Sequence, residues 1–268
     1  MKVVFSRKGV DSTAGGRPSP QFCDGSFVSI PIPYPHSPVR YRDIGIARDV
    51  QLGELVETLL RLDANACAHL DPDLRNDSRN QRHRDWKPAF GQSSGALTHL
   101  RSQGVNEGDL FLFYGWFQPV VGPPWRYRRH QDYRNGDFQA AWGWLEVGQY
   151  IDLDRSPAPD GNRDHPHANG SYRGGNGLFI ASPRLRIPGF SEVSGGGVFD
   201  QLVPLTAAGA AASTWWFDKS ALTKHRQEHV GDCNRNPELL EIVRRILENA
   251  KAPLSSALCN PSLGIVSE

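Results

Sequence analysis

Leu110-Phe-Leu-Phe-Tyr-Gly-Trp-Phe117 decides the fold. This continuous apolar and aromatic run is short for a globular helix and rich in residues that suit a pleated surface. Val105-Asn-Glu-Gly-Asp109 before it reads as a turn. Ala140-Ala-Trp-Gly-Trp-Leu-Glu-Val147 has the same character. The two runs are expected to be neighbouring core strands joined by a long excursion, residues 118–139. Working outward, Lys2 to Phe5 reads as a short buried strand. Asp24-Gly25 reads as a hairpin turn, followed by a strand over Ser26 to Ile30. Leu178-Phe-Ile180 and Val198-Phe199 are further strand candidates, and Trp215-Trp-Phe217 is an aromatic anchor or strand end.

Helical spacing occurs three times. Between Val50 and Ala64 the apolar residues Leu52, Leu55, Val56, Leu59, Leu60 and Leu62 recur on one face. Gly91 to Gln103 is a second, shorter helix, with Ala96, Leu97 and Leu100 on one side. Near the C-terminus Asn236 is a candidate N-cap, Pro237 suits the first helical position, and Glu238 favours the positive helix end. Leu239, Leu240, Ile242, Val243, Ile246 and Leu247 then give an apolar face, so a helix is predicted over about 237–250. Neither an internal repeat nor a linker interrupts the chain. The expected organisation is one α+β domain over 1–268, with a partly closed, mostly antiparallel β-barrel and peripheral helices. The 27 glycines and 20 prolines imply long or numerous loops and argue against a helical bundle.

The net charge of +1 excludes a globally basic nucleic-acid binder and leaves room for a local basic patch. Cys23, Cys67, Cys233 and Cys259 form no CxxC pair. There is no basic leader followed by an apolar run, and no apolar stretch of about 18 residues. A cytoplasmic protein with free thiols and no membrane span is the expectation.

Two short motifs carry metal-binding residue types. In His69-Leu-Asp-Pro-Asp73, alternate residues of an extended segment point the same way, so His69, Asp71 and Asp73 can converge. His165-Pro-His167 is a second i,i+2 pair. Imidazole and carboxylate together suit iron, manganese or zinc, with positions left open for substrate. Spacing alone leaves open whether the motifs meet. His225 and His229 are four apart, as on one helix face, but the order is not His-Glu-x-x-His. After the first strand, Arg7-Lys8-Gly9 through Asp11 to Gly16 combines cations with backbone able to approach an anion closely, although its composition fits a solvated Gly/Pro-rich loop better. Trp125-Arg-Tyr-Arg-Arg-His130 through Arg134 interleaves cations with rings, a pattern that suits phosphates and bases and also a plain surface loop. No G-x-S-x-G, Walker loop or G-x-G-x-x-G is present.

Taken together, ordered blocks over about residues 1–230 resemble the nucleotide modification associated domain family of type three, small bacterial and phage proteins associated with DNA base hypermodification. The blocks are Ser6 to Ser12 with Gly15-Gly16 and Pro18-Ser-Pro20, Asp24-Gly25 with Ile30-Pro-Ile-Pro33, and His69 to Leu74. They continue with Trp86 and Phe90-Gly-Gln92, Gly108 to Phe117, Trp142-Gly-Trp-Leu145, His165-Pro-His167 and Gly197-Val-Phe199. The resemblance implies a role around modified nucleotides or DNA. It favours a shared site in which His69, Asp71, Asp73, His165 and His167 hold a divalent metal, with Asp11 and Asp73 as catalytic candidates. It picks out Arg7, Lys8 and Asp11 as candidate substrate contacts, and the cation–aromatic pattern of the excursion adds Arg128. Arg226-Gln-Glu-His-Val230 departs from the family pattern, where Gly-Gln-Glu followed by an aromatic is expected. Residues 104–147 are also similar to the core of PUA-like barrels, several of which hold a modified base in an aromatic pocket; this points to Trp116, Trp142 and Trp144. The leading expectation is a metal-dependent enzyme acting on a nucleobase or nucleotide, and the alternative is a non-catalytic reader of a modified base.

Overall fold

A computed structural model describes residues 1–45, 52–79, 81–170 and 172–250. Val50, at the start of the first predicted helix, and Cys259 lie outside the described residues. In chain order the elements are β1 Lys2–Arg7, β2 Ser19–Gln21, α1 Leu52–Leu55, β3 Ala89–Ser93, α2 Ser94–Ser102, β4 Leu110–Val121 and β5 Arg126–Tyr127. They continue with β6 Phe138–Asp152, α3 Pro166–Asn169, β7 Asn176–Ala181, β8 Gly196–Pro204, β9 Thr223–His225, β10 Glu228–Asp232 and α4 Pro237–Asn249.

The two aromatic runs pair as expected. β4 and β6 are antiparallel, with Leu110 opposite Glu146 and Phe117 opposite Phe138. The sheet runs β3-β7-β6-β4-β1-β10-β9, with β2 and β5 on β4 and β8 on β6. β1 and β2 lie parallel to β4 and the other pairs are antiparallel. β4 is buried on both faces, which is why its sequence is continuously apolar. Leu110, Leu112 and Tyr114 pack with Val3 and Phe5 against Leu239, Val243, Ile246 and Leu247 of α4. Phe111, Phe113 and Phe117 pack on the other side with Phe90 of β3 and Leu97 and Leu100 of α2.

The sheet does not close into a barrel. β3 and β9, the two ends of this order, share no ladder, so the barrel expected from the sequence becomes an open mixed sheet. The end at β3 does approach β10, the strand next to the other end, because the Gln92 side chain on β3 donates to Glu228 Oε1 on β10 at 2.7 Å.

Local corrections have identifiable causes. Residues 26–30 form no strand, although the Asp24-Gly25 turn is present and Asp24 accepts from the Ser26 amide and hydroxyl. Among the described residues, regular α-helix in the first helical segment covers Leu52–Leu55. A π turn follows over Val56–Leu60, and Arg61 at φ 60° ends it. The second helix begins at Ser94, because Ala89–Ser93 is drawn into β3 by pairing with β7. His225 and His229 sit on paired strands of a hairpin rather than on a helix. Arg226 occupies φ 52° in that hairpin's turn, a conformation for which glycine carries no penalty. None of the helices among the described residues is long and apolar enough to cross a membrane.

Candidate metal centre at the β3 edge

β3 builds one wall of the site. The extended segment from His69 runs alongside it, and Asp73 exchanges backbone hydrogen bonds with Ala89 at 2.9 Å in each direction. On the other edge of β3 lies β7, with Ser93 opposite Asn176. The chain enters β7 from α3, a short helix with His165 at its N-cap and Pro166 in its first turn. Pairing of β3 with β7 therefore brings two motifs that are distant in sequence to one point.

At that point stands the Asp71 carboxylate, 4 % exposed. Its Oδ1 accepts the Gly91 amide at 2.7 Å. Its Oδ2 lies 3.9 Å from His69 Nδ1 and 3.7 Å from His167 Nε2. One ligand atom from each of His69, Asp71 and His167 can be chosen so that all lie within 4.8 Å of one another.

The hydrogen bonds around the rings fix their tautomers. Asn176 Nδ2 donates to the His167 carbonyl at 2.8 Å, so Asn176 Oδ1 faces His167 Nδ1 at 2.7 Å and must accept. That places the proton on Nδ1 and turns the bare Nε2 lone pair toward Asp71. Tyr172 repeats the logic. Its hydroxyl donates to the Pro166 carbonyl at 3.4 Å, also meets Tyr34, and lies 3.2 Å from His69 Nε2; in the tautomer with the proton on Nε2 that atom donates to the hydroxyl and Nδ1 is bare. Outer-shell acceptors that set ring orientation are a general feature of metal-ligating histidines. His165 plays a different part. Its Nδ1 accepts the His167 amide at 3.2 Å, so its Nε2 carries the proton. That atom lies 3.3 Å from Asp71 Oδ1 without hydrogen-bond geometry, and it has no other partner. His165 thus turns its N–H edge toward the carboxylate, while His69 and His167 turn lone pairs to it.

Electrostatics keep this set in its ligating form. Burial alone would raise the Asp71 pKa, but the His165 side chain, then His167 and His69, hold it well below the usual carboxylate range. Burial lowers His167 to about 4 against the pull of Asp71. It also lowers His69, where the upward pull of Asp71 is opposed by His165 and Lys8. Near neutral pH the centre therefore consists of two neutral imidazoles and one carboxylate with no fixed counter-cation. Two bare nitrogens and a carboxylate oxygen facing one point repel one another unless a cation lies between them. The donor set could hold a metal ion and leave positions open for other ligands.

The other expected site residues lie elsewhere. Asp73 does not join the centre: Arg82 clamps its carboxylate at 2.7 and 2.6 Å, and Trp86 Nε1 lies 3.4 Å from it. Asp11 is occupied by its own loop, accepting from the Thr13 amide and hydroxyl and the Ala14 amide, with Arg7 at 3.0 Å. Burial opposes its charge, but the Thr13 and Ala14 hydrogen bonds and Arg7 outweigh it and hold its pKa below the ordinary value. Lys8 sits 4.5 Å above the Phe90 ring and 3.6 Å from Glu228 Oε1, close enough to His69 to affect its ionisation.

The three tryptophans do not converge. Trp116 donates to Asp137, whereas Trp144 donates to the Ser194 carbonyl and stacks on Phe199. Phe113 pairs with Gly143 and Tyr114 with Ala141, so Trp142 is the extra residue of a β-bulge. The bulge sends its ring to the opposite core from Trp144. Its buried Nε1 has no acceptor. Arg128 is exposed on the excursion. Sequence reasoning missed Gly91, Asn176, Tyr172 and Glu228, whose importance comes from pairing across the sheet.

The Asp73–Arg82 pair makes a stability prediction. Both side chains are nearly closed to solvent, at 3 % and 6 % exposure. Arg82→Met strands a buried carboxylate, which costs about 3–5 kcal/mol. Thermal unfolding should then shift down by roughly 10 °C. An unchanged melting point would mean that the pair contributes nothing to holding this loop.

Fold and site together define a mixed α+β protein whose sheet edge carries a histidine–carboxylate centre. A family model described as nucleotide modification associated domain 3 matches residues 2–244, and the chain belongs to that family. No curated protein and no solved structure matches it.

Proposed function

We propose that the chain is a metal-dependent enzyme acting on a nucleobase or nucleotide, with a divalent ion (iron, zinc or manganese) held by His69 Nδ1, Asp71 Oδ2 and His167 Nε2. The observation that carries this reading is the convergence of two bare imidazole nitrogens on one carboxylate oxygen, with each ring fixed through its other nitrogen. Family membership supports the substrate class. A bound ion would supply Lewis acidity or an activated water. The chain's own residues position the ligands: the Gly91 amide holds Asp71 with the His165 ring beside it, Asn176 holds His167, and Tyr172 holds His69. Lys8, steadied by Glu228 over Phe90, provides a cation beside the centre for an anionic part of the substrate. The expected result is about one equivalent of metal in protein purified without a metal-affinity tag, as for a single three-residue site. Folded protein that carries no metal and takes none up would refute this reading.

One observation favours the alternative of a reader that binds a modified base. Trp142, with its unpartnered buried N–H, lines a chamber that also borders Asp71. A reader would keep its affinity for modified oligonucleotides after chelation.

A further inference from the structure

The excursion between β4 and β6 concentrates positive charge. Arg126, Arg128, Arg129 and Arg134 are exposed on it, and Arg17 is exposed close by. Tyr127 fixes that proximity, since its hydroxyl donates to the Pro18 carbonyl at 2.6 Å and Arg17 influences its ionisation. None of these five arginines is in an ion pair among the described residues. Three acids stand among them: Asp132 lies 3.9 Å from His130, Asp137 accepts from Trp116, and Asp24, in the wall of the cleft below, accepts from the Ser26 amide and hydroxyl, so the arginines outnumber the acids five to three.

Beneath this basic rim is a cleft lined by Phe22, Phe27, Val28, Val121 and Trp125. Its space, open mouth included, is about 640 Å³, enough for a planar ring. Phe22 and Trp125 meet edge to face at 5.0 Å, and the buried Trp125 Nε1 has no acceptor. Val121 at its mouth is 36 % exposed, an exposed large apolar side chain beside the arginines. Phe27 and Val28 also line the neighbouring chamber, which reaches Leu70, Asp71 and Trp142. Phe27 and Val28 thus stand between the cleft under the basic rim and the chamber that borders Asp71.

We propose that the substrate is a single-stranded stretch of polynucleotide rather than a free nucleotide. Its phosphates lie along Arg17, Arg126 and Arg128, one base occupies the Phe22/Trp125 cleft, and the chain continues through the chamber toward Asp71. This rests on the reading of the protein as one that acts on a nucleobase. Cations spaced along an edge with rings between them match the alternation of phosphate and base in a strand. A mononucleotide carries one phosphate and one base, so it would engage one arginine and the cleft and leave the rest of the edge unused.

The test is anisotropy binding of a labelled single-stranded DNA of about 12 nucleotides, a span suited to such a surface. Deoxycytidine monophosphate serves as competitor, and the titration is repeated across salt concentrations. The oligonucleotide should bind at least tenfold tighter than the mononucleotide, since several phosphates contribute. Arg126→Gln with Arg128→Gln should lower the magnitude of the log–log salt slope by about 1.4, or ~0.7 per lost phosphate contact. Trp125→Ala should weaken binding roughly 5- to 150-fold through loss of one stacked base. The exposed arginine pair is informative even if the Trp125 variant misfolds. Equal affinity for strand and mononucleotide, or a double arginine variant with wild-type slope, overturns the proposal. Metal content on the same preparations separates the two readings. A strand that fails to bind to metal-loaded protein sinks only the docking surface, and a strand that binds protein incapable of holding metal sinks only the metal enzyme.

Discussion

Asp71→Asn should leave a folded protein that has lost its metal. The amide is nearly isosteric and keeps an oxygen for the Gly91 N–H that Asp71 Oδ1 now accepts at 2.7 Å. It removes the only carboxylate of the ligand set, the charge that makes two neutral imidazoles a cation site. Outer-shell changes alone typically weaken metal binding by about 10–100-fold, so loss of this ligand should exceed ~100-fold. Calorimetric titration with zinc(II) measures it, and unfolding curves confirm the fold. Wild-type affinity in the variant would place the ion elsewhere.

The pH profile of the wild type adds a second readout. A ligand binds metal only when deprotonated, so affinity falls as pH drops through its pKa. An ordinary histidine would begin this fall near pH 6.5, at about its unperturbed pKa. Burial lowers His167 to about 4 and also lowers His69, while Asp71 stays ionised well below the usual carboxylate range. Affinity should therefore hold through about pH 6.5, where an ordinary histidine would already be half protonated, and the fall due to His167 should come only toward pH 4. A decline already centred on pH 6.5 would mean that the rings are more solvated than the structure has them.

How far the site was legible in the sequence depends on the range of the interactions. His69 and Asp71 share a side because an extended segment alternates, which a reader of His69-Leu-Asp-Pro-Asp73 can see. The same alternation assigns Asp73 to that side, yet Arg82 captures its carboxylate. That capture requires the loop after Asp73 to fold back, and no local period encodes it. His165-Pro-His167 reaches the centre only because β3 pairs with β7, a contact between segments far apart in the chain. The fold shows the same division. β4 and β6 were legible because their burial on both faces writes itself as an unbroken apolar run. Closure into a barrel was not legible, because it depends on whether the terminal strands β3 and β9 share a ladder, and what reaches across from β3 is the Gln92 side chain, which meets Glu228 of β10. The bulge at Trp142 adds one residue and reverses the face of its indole, so a period-two reading puts Trp142 and Trp144 together when the fold separates them.

Gly91 provides the most demanding test, because it has no side chain and is not a ligand. A Cβ at this position would lie 2.2 Å from both Cγ and Cδ2 of His167 and 2.8 Å from its Cβ. No adjustment of a few tenths of an ångström relieves such an overlap, so Gly91→Ala must push the His167 ring away. That breaks its 2.7 Å contact with Asn176 and turns Nε2 from Asp71. Zinc affinity should fall about as far as in a ligand variant, beyond ~100-fold, and stability should drop by about 1–3 kcal/mol, the usual cost of overpacking. A double-mutant cycle separates the two effects. With His167→Ala already in place the obstructing ring is gone, so adding Gly91→Ala should cost almost no further stability and no further affinity. If Gly91→Ala instead costs the same in both backgrounds, the glycine serves the β3 backbone rather than the ring. If Gly91→Ala alone retains full zinc affinity, His167 is not a ligand in the orientation that Asn176 fixes, and the metal centre must be redrawn around His69, Asp71 and His165.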